Sequence, residues 1–414
     1  MSHTSVAVLL GAASVVGFAC EAAAQTQTAP LTRESAIERA LGDDPNIAAA
    51  EAGRRAAEAG VRQARRWNNP TLEVTQENFE GSGLYAGQDR AETTYALSQP
   101  LELGGDRGAR RAIAETERDM ATLGVGLQRL DIILAVEHAF IEAQAAEAAR
   151  RVADDRLSVA RDLAEAVDRR VRAARDPYMA GSRAQARLAE AEIEAESARR
   201  AAISTRQRLA SYWGGAADFE IEVASFEDVG AEAAIEGPTP DLALAIAQEE
   251  RAGAELRLER ARSIPDVDLQ AGLRQFRETD ETALVVGLSV PLQIWDRNGD
   301  NIARARAERE RASHQREAYA RAVVRQRVLL ATEMDTARLE VAGLDRRVIP
   351  SSEEALRFAQ DGYVRGAFSY IDVLEAQRAL SEARLRRIQS LQSYHRAQAS
   401  LARLSGVRAE EPSQ

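Results

Sequence analysis

The chain of 414 residues is poor in cysteine and contains no lysine. Its one cysteine is Cys20, and all 54 basic residues are arginine. A lone cysteine excludes an intrachain disulfide framework and a multi-thiolate zinc site. The arginines are interleaved with glutamates along Ala-rich stretches, and the formal net charge is −11. This charge balance argues against a nucleic-acid partner, because phosphate binding needs a clustered basic surface.

Aromatic residues and long apolar runs are also scarce. Only 5% of the residues are aromatic, while Ala, Glu and Arg dominate, a composition typical of long helices and coiled coils. No segment after the N-terminus approaches the ~18 consecutive apolar residues that a membrane-spanning helix requires. If a protein without such a helix is exported, it is expected to lie in the periplasm or, as a β-barrel, in the outer membrane.

The N-terminus has the features of a secretory signal peptide, predicted to cover residues 1–24. Residues 6–19 are apolar but too few to span a bilayer, and small residues up to Ala24 form a cleavage site. The segment departs from the usual pattern because no Lys or Arg precedes the apolar stretch. Lipid anchoring at Cys20 is an alternative, but Gly17 stands where a lipoprotein normally carries a branched apolar residue. Cleavage after Ala24 is favoured and would remove the cysteine.

The most informative feature of the chain is a duplication. Residues 69–105 and 264–295 each combine prolines with two short strand patterns, and they lie about 190 residues apart. Each follows an Ala/Glu/Arg helix pattern and precedes a much longer one. The predicted fold is mainly α with a small membrane β-barrel portion, built from a duplicated helix–β-hairpin–long helix–helix unit. The predicted segments are a first repeat at 25–215, a connector at 216–239, a second repeat at 240–408 and a tail at 409–414, with strand ends marked by Pro70, Pro100, Pro265 and Pro291.

The strand patterns have the period of two that a sheet with one apolar and one wet face requires. An uninterrupted helix is predicted at 32–66, followed by strands at 71–79 and 93–103, and the second unit has strands at 266–273 and 283–290. Each strand has roughly the 9–11 residues that a tilted membrane strand needs. Four strands cannot close a barrel, and lipid does not tolerate an open sheet edge. The chain must then pool strands with copies of itself, two copies giving eight strands and three giving twelve.

A very long helix is predicted after each hairpin. The first, at 107–172, contains no proline and would extend ~100 Å at a rise of 1.5 Å per residue. The second, at 300–362, is predicted to kink at Pro350. Each long helix is predicted to reverse at a glycine, Gly181 or Gly366, because glycine readily adopts the positive φ that ends many helices.

These features resemble the TolC-type outer-membrane efflux family over essentially the whole mature sequence. The resemblance is carried by Asn69-Pro70, by Leu97-Ser98-Gln99-Pro100-Leu101-Glu102-Leu103-Gly104-Gly105, and by Gly366-Ala367-Phe368-Ser369-Tyr370-Ile371-Asp372-Val373-Leu374-Glu375-Ala376-Gln377. It implies a homotrimer with a twelve-stranded barrel in the outer membrane and a twelve-helix periplasmic tunnel. It also implies a periplasmic adaptor and an inner-membrane pump as partners. The segment ending at Gly105 is most similar to the heavy-metal cation (CzcC-like) branch, which is coupled to proton-driven pumps.

The same resemblance places a gate at the periplasmic tip of the helices. In the family, acidic side chains narrow the tunnel there, and a tyrosine and a basic residue latch neighbouring helices. Tyr363 matches the tyrosine, and Asp372 and Glu375 match the acidic pair. The basic position is occupied by Phe368, a departure that weakens any ionic latch.

The first repeat carries charges at the corresponding positions of its own tip. Arg187 lies six residues after Gly181, where the TolC-type pattern has aspartate, and Glu190 lies nine residues after the same glycine. A mixed-charge ring of Arg187 with Asp372 is one interpretation, and a set of solvated charges near a helix turn is the other. Rings of carboxylates favour the passage of cations without binding them tightly. By the same resemblance, the turns at Gly181 and Gly366 form the adaptor-docking surface.

No pattern in the sequence supports catalysis, a cofactor or a resident metal. The histidines are isolated at His3, His138, His314 and His395, and none forms a convincing metal set with another ligand type at a spacing of three or four residues. A nucleophile elbow, a phosphate loop and a dinucleotide fingerprint are all absent. The favoured function is a passive exit duct of a tripartite efflux system for divalent metal cations. The alternatives are a duct of the same fold for drugs or secreted polypeptides, and a periplasmic coiled-coil adaptor, against which the duplicated hairpin argues.

Overall fold

The computed structural model describes residues 30–42, 44–230 and 239–406. The predicted signal peptide, Cys20, part of the connector and the C-terminal tail lie outside these residues. Within them the chain forms eight α-helices and one four-stranded sheet. None of these helices combines the length and the apolar character needed to cross a membrane.

The duplicated unit predicted from the sequence is present, with one difference at its start. The helix predicted at 32–66 is two helices, α1 (Arg33–Gly42) and α2 (Pro45–Ala64). Asp44 separates them because its carboxylate accepts hydrogen bonds from the amides of Asn46 and Ile47, which caps α2. Pro45 takes the first position of α2, where its missing N–H costs no helical hydrogen bond. The Asp-Pro pair is thus a helix start within an otherwise continuous Ala-rich pattern.

The remaining helices and strands follow the predicted order. The first half continues with β1 (Thr71–Glu77), β2 (Glu92–Leu101), α3 (Asp106–Arg172) and α4 (Tyr178–Ala210), and the second half consists of α5 (Pro240–Ala261), β3 (Val267–Phe276), β4 (Glu281–Ser289), α6 (Gly299–Gly343), α7 (Ile349–Arg365) and α8 (Tyr370–Ser405). Helix α3 alone has 67 residues, which corresponds to ~100 Å. The rod is therefore several times longer than an ordinary globular helix.

The helix that is predicted to kink at Pro350 contains a π-helical turn shortly before this proline. This turn covers Leu344–Val348 and joins α6 directly to α7. Proline has no N–H for the hydrogen bond to Arg346, four residues before it, so regular α-helix cannot run unbroken through this point. The wider turn immediately before Pro350 accommodates the missing bond and continues the rod.

The four strands form one antiparallel sheet in the order β1-β2-β3-β4. Pro70 directly precedes β1, Pro265 lies two residues before β3, and Pro291 lies two residues beyond β4. Pro100 is the penultimate residue of β2, and β1 has no residue opposite it because their pairing ends at Ser98. The missing N–H of Pro100 therefore leaves no backbone carbonyl of β1 without its hydrogen bond. Among the described residues, no strand pairs with the outer edge of β1 or of β4.

The pairing register divides the sheet into two chemically different faces. One face carries only uncharged residues, and its large apolar side chains are exposed, with Leu72 69% and Leu284 74% accessible. Their neighbours on this face are Val74, Tyr95, Leu97, Leu269, Leu273, Val286 and Leu288. The opposite face holds every charged side chain of the four strands, namely Glu73, Glu77, Glu92, Asp268, Arg274 and Glu281. Such segregation is what a sheet between lipid and water requires.

The helices pack against one another mainly through small residues. Alanines such as Ala143, Ala195 and Ala254 are almost fully buried, which lets the helix backbones approach closely. The connector between the repeats is held against the helices by the buried ring of Phe226. His395 on α8 stacks on this ring and lies with its Nε2 3.0 Å from the Phe226 carbonyl oxygen. The two repeats are thus joined laterally into one helical body.

Candidate functional site at the tip of the helices

The turn between α3 and α4 lies at the end of the helices farthest from the sheet. Ala174 adopts φ +53° in this turn, and Pro177 directly precedes α4. The prediction that Gly181 forms the turn is wrong, because the chain has already reversed and Gly181 lies within α4. A Cβ at Gly181 would meet the Val171 side chain at an ordinary distance of 3.7 Å. A glycine is therefore not required at this position.

The turn between α7 and α8 does depend on its glycine. Gly366 adopts φ +82° and ends α7, with its amide donating to the Tyr363 carbonyl oxygen at 3.0 Å. The ring of Phe368 then folds back over Gly362, where an added Cβ would lie 2.1 Å from a ring carbon. Ser369 caps α8 from beyond the turn. The reversal therefore needs glycine at 366, and the position of the Phe368 ring needs a glycine at 362.

Tyr363 joins the two tips through a three-residue cluster. Its hydroxyl donates to Asp176 Oδ2 at 2.6 Å, and the Arg170 guanidinium donates to both Asp176 oxygens at 3.0 Å. Arg170 also donates to the Tyr363 carbonyl oxygen at 3.1 Å, and its guanidinium carbon lies 4.9 Å from the centre of the Tyr363 ring. The side chains of Arg170 and Asp176 are only 20% and 13% exposed. This cluster is the direct polar link between the turn after α3 and the end of α7.

The ionisation of the cluster follows from these contacts. The hydrogen bond from Arg170, helped by the Tyr363 hydroxyl, holds the pKa of Asp176 below its usual range. Burial, followed by the hydrogen bond to Asp176, raises the pKa of Tyr363. At neutral pH the phenol therefore stays protonated and donates to a charged carboxylate, which is a strong kind of hydrogen bond.

Sequence reasoning identified Tyr363 but missed its two partners. The resemblance put the basic position at Phe368, within the same turn, whereas Arg170 comes from the end of α3, 193 positions away from the tyrosine. The signal that could have indicated Asp176 is its place just before Pro177, between two long helix patterns. Nothing in the sequence pattern distinguishes Arg170 from its basic neighbours, because its role depends on how α3 packs against α7.

The other predicted tip residues are not gathered into one cluster. Arg187 pairs within α4 with Glu190 at 2.5 Å, and the Asp372 carboxylate accepts from the Ser369 amide and hydroxyl at 2.7 Å. Those two hydrogen bonds hold the pKa of Asp372 below its usual range. Arg187 and Asp372 are therefore engaged separately within the chain. Glu375 is exposed on α8.

An apolar cluster holds the four tip helices beneath these polar groups. Tyr363 and Tyr370 lie with their ring centres 6.3 Å apart, and both side chains are buried. Burial raises the pKa of Tyr370, and the charges of Arg187 and Glu190 also act on it. The remaining members of this cluster are Leu163, Ala164, Val167, Ala184, Leu356, Ala359, Val373 and Leu380. In the part of the chain that the structure describes, no three His, Cys, Asp or Glu side chains are arranged to hold a metal ion.

Comparison with known proteins agrees with this architecture. The outer membrane efflux protein family model matches residues 36–215 and 235–407. The cobalt-zinc-cadmium resistance protein CzcC of Cupriavidus metallidurans is 30% identical over 388 residues, which cover 91% of this chain and 90% of that protein. The nickel-cobalt-cadmium resistance protein NccC of Alcaligenes xylosoxydans xylosoxydans is 28% identical over 76% of this chain and 68% of that protein.

Solved structures show the same fold. The outer membrane protein VceC of Vibrio cholerae superimposes with a TM-score of 0.77 at 20% identity, over 90% of this chain and 96% of that one. CusC gives a TM-score of 0.77 at 16% identity, over 90% and 91% of the two chains. The resemblance to TolC-type channels and to their heavy-metal branch is confirmed. The protein is a transport channel of the outer membrane with a periplasmic helical extension, and it belongs to the outer membrane efflux protein family.

Proposed function

We propose that three copies of this chain form the exit duct of a tripartite efflux system for divalent heavy-metal cations. The observation that carries the proposal is the division of the sheet, in which one face is uncharged and exposed while the other holds all the charges. In lipid, the free edges of β1 and β4 would leave backbone groups unsatisfied, so they must pair with other copies. Three copies give a twelve-stranded barrel with a water-filled lumen.

The choice of cargo is supported by charge. The lumenal face of the sheet carries five carboxylates and one guanidinium, so it repels anions and concentrates cations. The related proteins CzcC and NccC are named for resistance to cobalt, zinc, cadmium and nickel. A duct lined in this way conducts passively. The energy for transport comes from an inner-membrane pump, which is proton-driven as in the heavy-metal branch. A periplasmic adaptor connects the pump to the duct.

The tip cluster of Arg170, Asp176 and Tyr363 supports a gate at the periplasmic end. It fastens α7 to the turn after α3, so the end of α7 can move away from α3 only if these hydrogen bonds break. The turn at Gly366 and the turn before Pro177 lie beside this cluster and are exposed to the periplasm. They are the surfaces at which a docked adaptor would act on the gate. The acidic side chains of Asp372 and Glu375 would face cations entering there.

The proposal is tested by metal tolerance of a strain that lacks this protein. We expect selective sensitivity to zinc, cobalt, cadmium or nickel, rescued by the wild-type chain and not by Gly366→Pro, because proline cannot adopt φ +82°. Gly181→Ala is the matched control and should rescue, since its new methyl group makes only an ordinary contact. Unchanged metal tolerance with new sensitivity to antibiotics or detergents would contradict the cation assignment. It would favour a duct for drugs instead.

A further inference from the structure

Arg274 is the one basic side chain on the charged face of the sheet, and its position is unusual. The register places it two residues inside the end of the sheet that lies farthest from the helices, so on the charged face it is next to the outermost row. The outermost row contains Glu77 on β1, Glu92 on β2 and Glu281 on β4, with Phe276 of β3 between the last two. Three carboxylates therefore surround the point at which a cation would leave the duct.

The side chain of Arg274 reaches into this outermost row. Its Nη2 lies 3.1 Å from Glu77 Oε2, its Nη1 donates to Glu92 Oε2 at 3.2 Å, and its Nε donates to Thr94 Oγ1 at 2.9 Å. One guanidinium from β3 thus bridges carboxylates on β1 and β2. Glu77 and Glu92 are directly opposed in the register, so without Arg274 their like charges would stand side by side.

Carboxylates on the rest of this face lack such a counter-charge. Glu73 accepts a hydrogen bond from the Gln270 amide at 3.0 Å, and neither Glu73 nor Asp268 forms an ion pair with an arginine of the described residues. The lumen thus keeps uncompensated negative charge along its length but is partly neutralised at its outer end. Conduction requires that an ion bind well enough to enter and weakly enough to leave.

We propose that Arg274 acts as a built-in counter-ion that prevents the outermost carboxylates from retaining divalent cations at the exit. Opposed carboxylates can bind hard and borderline divalent cations, and the guanidinium occupies the space between them. The role rests on the proposed function, because it requires that the charged face of the sheet line the duct.

The test is ion conduction by the full mature chain in planar bilayers, in potassium chloride with added zinc chloride. In Arg274→Gln the half-blocking zinc concentration should fall about ten-fold, because one additional negative charge near a divalent ion in water has an effect of this order. The ratio of potassium to chloride permeability should also rise, by about two-fold. Arg274→Lys should stay close to wild type, since it keeps the charge. Because a narrow tip would dominate the resistance, each variant is measured again in an Asp176→Asn background.

Two further variants separate this role from a general disturbance of the barrel. Adding Glu77→Gln and Glu92→Gln to Arg274→Gln should remove the extra zinc block, because the carboxylates that would hold the ion are gone. Arg277→Gln, which removes a guanidinium bonded to Gln88 at the same end, should leave the block unchanged. Equal zinc block in wild type and Arg274→Gln would overturn the role of Arg274 alone. A chain that forms no ion-conducting pore even in the Asp176→Asn background would overturn the proposed function and this role with it.

Discussion

Replacing Tyr363 by phenylalanine removes a single hydroxyl and leaves the ring that packs in the tip. The lost interaction is the 2.6 Å hydrogen bond to Asp176, whose side chain is 13% exposed and charged. Hydrogen bonds to charged groups contribute roughly 1.5–3 kcal/mol. A loss of about 2 kcal/mol changes the ratio of closed to open tips by about 30-fold in each chain. We therefore expect Tyr363→Phe to open the duct much more often than wild type.

The assay is the open probability of single channels in planar bilayers without adaptor. Tyr370→Phe is the matched control, because this tyrosine belongs to the same apolar cluster and its ring lies 6.3 Å from that of Tyr363. Its hydroxyl makes no hydrogen bond within the described residues, so open probability should not change. Asp176→Asn should act in the same direction as Tyr363→Phe, because its uncharged amide accepts more weakly from the Tyr363 hydroxyl and from Arg170. The double variant should exceed Asp176→Asn only slightly, because both changes act on the same contact. Equal open probability in wild type and Tyr363→Phe would refute the reasoning.

The remaining predictions concern packing and pH. Gly104→Ala should lower the free energy of unfolding by about 1–3 kcal/mol, since its Cβ would lie 2.2 Å from the Ala261 carbonyl oxygen. Gly108→Ala is the control and should not destabilise the protein, because the space around Gly108 is open. Thermal denaturation followed by circular dichroism measures both, and equal melting temperatures would contradict the contact. Burial lowers the pKa of His395 below its usual value, so the neutral ring stabilises the connector above about pH 6.5 and this stability is lost as the pH falls. Limited proteolysis near Phe226 should therefore be faster at pH 5 than at pH 7.5. The difference between the two rates should be smaller in His395→Gln.

Much of the fold is predictable because it depends on local periodicity. The period of two in the strands and the helical spacing of apolar residues can be read from the chain, and they place β1 to β4 and α3 within a few residues. Where the boundaries differ, a local signal explains it. Asn78, with φ +56°, ends β1 two residues before the predicted end, and Asp44 starts a new helix inside a continuous pattern.

The candidate site was only partly predictable. Gly366 could be identified because a glycine between two helix patterns indicates a helix reversal. The same rule failed at Gly181, since the reversal before α4 uses Ala174 and Pro177 instead. Glycine is the commonest but not the only residue that adopts positive φ.

The sequence by itself determined the duplication, the length of the rods, the alternation of the strands and the tight turn at Gly366. Within each repeat, these features are set by residues that lie close together in the chain. Only the tertiary structure decided which charges meet. Arg170 contacts Tyr363 because α3 packs beside α7. Arg274 on β3 contacts Glu77 on β1 because both strands pair with β2 in a fixed register. A charge has no periodicity of its own, so its partner is set by the packing of whole elements.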